Sequence, residues 1–233
     1  MPVGGACGLR AWQPVAESHS HPLAAVLRSV TPQCCPTRLN FHCHTTCSDG
    51  SLEPEALAAQ AVAIGLEHLA VTDHHSLAAH RTVARALEQT SQAGRRVPML
   101  WRGAEISCLL EGCLVHVLAL GFDEHHPSLE PYLQGQAVVG EALQASAVRE
   151  AIHTAGGLAL LAHPARYRLP FPRLITAASA LGFDGAETWY DYQQQQRWAP
   201  TPLVCDAIAR QLASQSLLMS CGTDTHGYQL HGR

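Results

Sequence analysis

Ala155-Gly156-Gly157-Leu158-Ala159-Leu160-Leu161-Ala162-His163-Pro164 is the stretch on which the fold turns. The glycines close a helical pattern that runs from about Glu141 to Thr154, since glycine takes up the backbone conformation that ends a helix. Leu158 to Ala162 is short and apolar on both faces, which reads as a buried strand. His163 follows at once. A helix therefore feeds a buried strand, and the strand delivers a histidine at its C-terminal end.

The same grammar extends in both directions. Leu39-Asn40-Phe41 opens a first strand. Pro54 to Ile64 reads as a helix, with Pro54 in its first turn and Gly65 just past its end. Leu69 to Thr72 is a second strand, Ser76 to Gln92 a second helix, and Met99 to Ile106 and Leu114 to Leu120 two further strands. Ala186 to Trp189 and Leu217 to Cys221 are later strands, separated by a helix that starts after Pro202. Apolar runs alternating with helical patterns predict βα units and a largely parallel sheet. Roughly seven such repeats point to a compact α/β barrel. Residues 1–36 mix Gly, Pro, Ser and His around a short apolar patch, Leu23 to Leu27, and read as an N-terminal extension to a domain spanning 37–233.

Composition narrows the function. Of 233 residues, 47% are hydrophobic and 15% charged, which is globular, and the net charge of −4 offers no basic field for a stable DNA-binding surface. No apolar run approaches the ~18 residues of a membrane span, and the first residues lack the apolar core of a signal peptide. Nine cysteines, an odd number, then suggest reduced thiols and a cytoplasmic setting. Cys43 and Cys47 lack the second pair that a structural zinc site would need. The anomaly is histidine: 15 residues, equal to Lys and Arg together.

Position gives those histidines meaning. Nearly every expected strand carries His, Asp or Glu near its C-terminal end, where α/β barrels build active sites. His42 and His44, at i and i+2 on a strand, point to one face and can reach one ion. Asp49 follows in a polar turn. Asp73-His74-His75 ends the next strand; His74 is the candidate ligand, His75 a neighbour of the site, and Asp73 can ligate, orient a histidine or cap the following helix. Glu105 sits in an otherwise apolar strand, where a carboxylate must be paired or coordinating. His116, His163, Asp224 and His226 complete six histidines and three acids on one expected rim.

With these residues in hand, the chain resembles the polymerase and histidinol phosphatase (PHP) family of metal-dependent phosphoesterases. The likeness lies in His42-Cys43-His44-Thr45-Thr46-Cys47-Ser48-Asp49-Gly50, Thr72-Asp73-His74, Gly103-Ala104-Glu105-Ile106-Ser107, His116, Ala155 to Pro164, and Gly222-Thr223-Asp224-Thr225-His226-Gly227. The resemblance implies a distorted seven-stranded (β/α) barrel holding two to three divalent ions, manganese, zinc or iron. It implies that His42, His44, Glu105 and Asp224 hold the first ion, that Glu105 bridges to a second completed by His116 and His163, and that Asp49, His74 and His226 hold a third. Glu105, Asp224 and His226 would be central to catalysis. Two departures stand out: Asn40 occupies a position the family usually gives to Asp, and residues 123–155 are few for the helical insertion that stand-alone relatives use as a lid.

The implied chemistry is attack of a metal-activated water on a phosphate ester. The substrate would be a phosphorylated small molecule or a nucleic-acid 5′ end, as a phosphomonoester or terminal phosphodiester of a nucleotide or short oligonucleotide. Arg166 and Tyr167 are the first candidates for substrate contact, with Arg102 and His75 next, because a guanidinium fork suits phosphate. A histidinol-phosphate phosphatase and a non-catalytic regulatory metal-binding module are the alternatives.

Overall fold

The computed structural model of the protein describes residues 21–195 and 197–232. Its elements run α1 (Pro22–Leu27), β1 (Leu39–Asn40), α2 (Pro54–Ile64), β2 (His68–Ala70), α3 (Ala78–Gln92), β3 (Met99–Trp101), β4 (Gly103–Leu110), β5 (Cys113–Leu120), α4 (Ala145–Thr154), β6 (Leu158–Leu161), α5 (Phe171–Ala180), β7 (Gly185–Trp189), α6 (Pro202–Ser214) and β8 (Leu218–Cys221). The helix expected at 54–64 has those bounds, and Gly65 ends it at φ 85°. Helix α5 is not among the expected elements. Pro170 and Pro172 crowd its start and read as loop, although proline is well tolerated in a first helical turn.

The ladders form two sheets, β1-β2-β3 and β4-β5-β6-β7-β8. The first is parallel throughout, whereas β5 runs antiparallel to both β4 and β6 before β6, β7 and β8 return to parallel order. The expected largely parallel sheet is thus a mixed one. The cause is the two-residue turn Glu111-Gly112, whose φ values of 53° and 67° suit a tight hairpin and fold β5 straight back on β4. The single strand expected from Met99 to Ile106 is divided at Arg102, β3 pairing with β2 and β4 with β5. Among the described residues the eight strands do not close into one continuous sheet; isolated bridges join the two sheets, His74 beyond β2 with Glu105 of β4, and Cys43 beyond β1 with Thr225 beyond β8.

Three buried clusters hold these layers. The outer face of the five-stranded sheet packs Val115, Val117, Ala119 and Leu161 against α4, α5 and α6. Leu57, Ala61 and Val83 of α2 and α3 cover β2. The third cluster joins Leu23, Ala24 and Leu27 of α1 to Leu39, Phe41, Leu118, Leu120, Leu158 and Leu160. The segment from His21 to Pro36 therefore packs into the body of the molecule, and residues 1–20 lie outside the described residues. Because His116, Leu118 and Leu120 share one face of β5, α1 fills the interior beyond the end where His116 stands.

Candidate metal centre

β1 runs out into His42 and His44, both fully buried, while Cys43 between them is buried on the other side among Leu57 and Leu69. The chain from β8 returns alongside, with the N–H of Asp224 donating to the carbonyl of His42 at 2.8 Å. Gly222 makes this approach possible, since a Cβ there would lie 2.2 Å from the Cβ of His42. Gly50 does the same for the Asp49 turn, where a Cβ would meet the backbone of His44 at 2.7 Å. Asn40 ties the two segments together: its Oδ1 accepts from the N–H of Thr223 at 3.1 Å and its Nδ2 donates to Thr223 Oγ1 at 2.9 Å.

Glu105 is the hub. It is 1% exposed, and its Oε2 lies 3.1 Å from His42 Nε2, 3.0 Å from His44 Nε2 and 3.5 Å from His74 Nε2. Its Oε1 lies 2.9 Å from His116 Nδ1 and 3.1 Å from His163 Nε2. Asp224 Oδ1 adds a second carboxylate 3.3 Å from His42 Nε2 and 3.2 Å from His44 Nε2. Asp49 and His226 meet at 3.3 Å, with His74 at 3.7 Å from the same carboxylate. Among the described residues, three groups of side chains present donor atoms close enough for one ion each: His42, His44, Glu105 and Asp224; His74, Glu105 and His116; and His44, Asp49, His74 and His226. The first matches the set implied for the first ion. In the second His74 stands where His163 was expected, although His163 still faces Glu105, and in the third His44 joins the expected members.

This donor set fits divalent cations. His42 and His44 direct Nε2 atoms at each other across 3.2 Å and at the same oxygens of Glu105 and Asp224, a convergence that a positive centre satisfies. Among the described residues, the buried Nδ1 of His163 has no hydrogen-bond partner and that of His44 has only the Asp49 carboxylate, at 3.6 Å, which is costly for buried polar groups. Imidazole and carboxylate ligands suit zinc, manganese or iron.

A cavity of ≈ 310 Å³ opens above the cluster, lined by Asp49, His74, Glu105, His116, His163, Arg166, Tyr167, Asp224 and His226. Arg166 is anchored through one nitrogen, Nη1, to Asp224 Oδ2 at 2.8 Å and to the Tyr190 hydroxyl at 2.9 Å, and its side chain stays 40% exposed. The Tyr167 hydroxyl accepts the backbone N–H of His116 at 2.8 Å. Two other expected contacts stand elsewhere. Arg102 is turned to Glu124 and His80, because the break between β3 and β4 aims it away from the cavity. His75 is buried, with Nδ1 donating to the Tyr132 carbonyl at 3.1 Å and Nε2 accepting the Ser107 N–H at 3.2 Å.

The positions along the strands also differ from expectation. Glu105 and His116 sit within β4 and β5 rather than at C-terminal ends, since the hairpin carries both strands past the level of the site. Backbone strain concentrates here too: His163 (φ 25°), Asp224 (φ 49°) and His75 (φ 51°) have left-handed values uncommon outside glycine. Sequence reasoning missed Glu187 and Tyr190. Glu187 carries the signal that revealed Glu105, a lone carboxylate in an apolar strand. Asp73 proves to organise the Asp49 turn, accepting from the Thr45 N–H at 2.7 Å, the Thr45 hydroxyl at 2.7 Å and the Ser48 hydroxyl at 2.6 Å.

Packing so many titratable groups together drives their pKa values apart. Burial alone would lower His44, but Asp224 and Glu105 overcome it and hold the imidazole at about 9. Burial pushes His74 down to about 4, aided by the neighbouring rings of His44 and His116. Glu105 and Asp224 are buried, which would raise them, yet the surrounding histidines hold both well below the usual carboxylate range.

Such a hub of carboxylates and imidazoles beneath an open cavity, on this α/β frame, defines a metal-dependent phosphoesterase. The PHP domain profile matches residues 40–126. A 5′-3′ exoribonuclease of Haemophilus influenzae is 33% identical, covering 70% of this chain and 85% of that protein. The 5′-3′ exoribonuclease Rnm of Escherichia coli is also 33% identical over 55% of this chain and 47% of its own length. Among solved structures, an amidohydrolase of Chromobacterium violaceum superposes with a TM-score of 0.66 at 20% identity, covering 81% of this chain and 87% of that one. A candidate metal-dependent phosphoesterase of Bifidobacterium adolescentis gives 0.63 at 22%, covering 82% and 87%. The chain belongs to the PHP domain family.

Proposed function

We propose that this protein hydrolyses the 5′-terminal phosphodiester of short RNA, or a phosphomonoester of a nucleotide, with two to three divalent ions held by His42, His44, Asp49, His74, Glu105, His116, His163, Asp224 and His226. The observation that carries the reading is the convergence of five imidazoles on the two oxygens of Glu105 at the floor of an open cavity. The RNA preference is taken from the Haemophilus relative. That alignment runs over 239 positions yet takes in 70% of this chain, so the relative carries stretches absent here, consistent with a reduced lid. The same reading treats the two bridged sheets as one distorted seven-stranded barrel, β3 and β4 acting as a single bent strand, and sets the enzyme in the cytoplasm.

When bound, the ions lower the pKa of a water and neutralise phosphate oxygens. The chain supplies the rest. Arg166, anchored through one nitrogen, leaves the outer edge of its guanidinium for a phosphate oxygen in a two-point contact. His226 directs Nδ1–H to the Asp224 carbonyl at 2.9 Å, so Nε2 faces the cavity as acceptor or ligand. Tyr167 packs beside His163 and limits the side of the cavity from which substrate enters. Purified protein supplied with manganese should release mononucleotides from a 5′-phosphorylated RNA oligomer faster than it hydrolyses histidinol phosphate or a DNA oligomer. Absence of turnover on every phosphate ester, with metal bound, would leave a regulatory metal-binding module as the better description.

A further inference from the structure

Glu187 lies in the middle of β7 and is fully buried. Both of its oxygens stand 3.1 Å from Nδ1 of His42, and Oε2 also accepts the backbone N–H of His163 at 2.9 Å. A carboxylate only accepts, so His42 keeps a proton on Nδ1, which leaves Nε2, 3.1 to 3.3 Å from Glu105, His44 and Asp224, as the nitrogen that would ligate an ion. His163 has φ 25°, a conformation that persists only where the surroundings fix it, and the Glu187 contact is part of that fixing. The Nε2 of His163 lies 3.1 Å from Oε1 of Glu105. One carboxylate therefore anchors the ring of His42 and the backbone of His163, two stacked imidazoles that reach the hub at Oε2 and Oε1 respectively.

We propose that Glu187 is a positioning residue of the centre: it fixes the His42 tautomer and the His163 turn, and through them sets metal affinity. The inference rests on reading the cluster as a metal centre. Glutamine at 187 would keep the volume but offer one acceptor oxygen to two donors. Either the His163 N–H loses its partner, or the amide donates to Nδ1 of His42 and moves the ring proton to Nε2, where it blocks ligation. Loss of such an outer partner weakens metal binding by roughly 10- to 100-fold.

The test uses the full chain, stripped with a chelator and titrated with zinc against a chromogenic competitor, for the parent, Glu187→Gln and Glu187→Asp. Thermal unfolding of each metal-free protein is followed alongside, and histidine ¹⁵N spectra of the zinc-loaded proteins report ring protonation. Glu187→Gln should lose zinc affinity by the factor above while its metal-free unfolding temperature stays near the parent's. Glu187→Asp, which keeps the charge, should recover part of the loss, and the parent spectrum should show the His42 proton on Nδ1. Parental zinc affinity in both variants would overturn the proposal, and so would parental affinity in Glu187→Asp together with an unfolded Glu187→Gln. A parent protein that binds no zinc would instead sink the metal-centre reading.

Discussion

Replacing Glu105 with glutamine tests the centre most directly. The side chain keeps its length and shape but loses its charge and one of two acceptor oxygens. Oxygen Oε2 faces the ring nitrogens of His42, His44 and His74, and Oε1 faces those of His116 and His163. Whichever position the amide NH₂ takes, two or three of these polar contacts are lost or reversed. Interactions with a charged group are worth about 1.5–3 kcal/mol each, so two of them amount to about 3–6 kcal/mol. At ~1.4 kcal/mol per factor of ten, metal affinity should fall by roughly 10²- to 10⁴-fold. Element analysis after dialysis at micromolar metal should then find the variant depleted where the parent is loaded, and hydrolysis of p-nitrophenyl phosphate and of a 5′-phosphorylated oligonucleotide should fall together. A variant with parental metal content would refute the assignment of Glu105 as the shared ligand. Lost activity with full metal content would assign it a purely chemical role.

Arg166→Ala should raise KM for phosphate-bearing substrates by roughly 10- to 100-fold, the worth of one charge-assisted contact, whereas Arg102→Ala, whose side chain faces Glu124 and His80, should leave kcat/KM near the parent value in the same steady-state assay. The metal-free protein should lose thermal stability as pH rises from the ordinary histidine range through about 9, because His44 is held protonated there in the fold by Asp224 and Glu105; its contribution is complete below the unfolded-state value and vanishes above the folded one. Over the same window zinc affinity should rise, since ligation requires neutral imidazole, and opposite trends in both titrations would contradict the electrostatic account. Leu27→Ala should destabilise the protein by about 2–5 kcal/mol in urea unfolding, the cost of a cavity at a fully buried leucine; a change under about 0.5 kcal/mol would mean that α1 is not part of the core. Metal added at about 100 times its Kd should stabilise the fold by about 2.7 kcal/mol, and the protection it gives backbone amides should concentrate at Cys43, His74, Glu105 and Thr225 in hydrogen exchange.

The ligands were legible because each breaks a local rule. His42 and His44 share one strand face, Glu105 interrupts an apolar run, and His163 follows directly on a strand apolar on both faces. The helices were legible for a similar reason, since Pro54 and Gly65 mark both ends of α2. What stayed hidden depends on tertiary geometry. Nothing in Glu111-Gly112 announces a hairpin as Asn-Gly would, so the reversal of β5 could not be read, and with it the mid-strand placement of His116. Arg102 stands one residue before the glycine that opens the Glu105 motif, and only the break between β3 and β4 shows that it points elsewhere. Glu187 could have been found by the argument applied to Glu105. Tyr190 could not, because an aromatic at a strand end is ordinary core until Asp224 and Arg166 are seen against its hydroxyl.

The placement of the ligands also accounts for how two sheets make one site. The isolated bridges between the sheets fall at Cys43 with Thr225 and at His74 with Glu105. Cys43 lies between His42 and His44, and Thr225 lies between Asp224 and His226; the second bridge joins two candidate ligands directly. Backbone hydrogen bonds run along both seams, from Phe41 N–H to Cys221, Asp224 N–H to His42 and His44 N–H to Thr225 at the first, and from Glu105 N–H to Asp73 and His75 N–H to Glu105 at the second. These short paired seams bring imidazoles and carboxylates of the two sheets together, and ions shared across each seam would add a second connection between the sheets. The strained backbone of His163 and Asp224 fits the same logic, since both residues leave strand geometry at the point where their side chains must turn inward. The paired seams are what bring ligands from the two sheets within reach of one another.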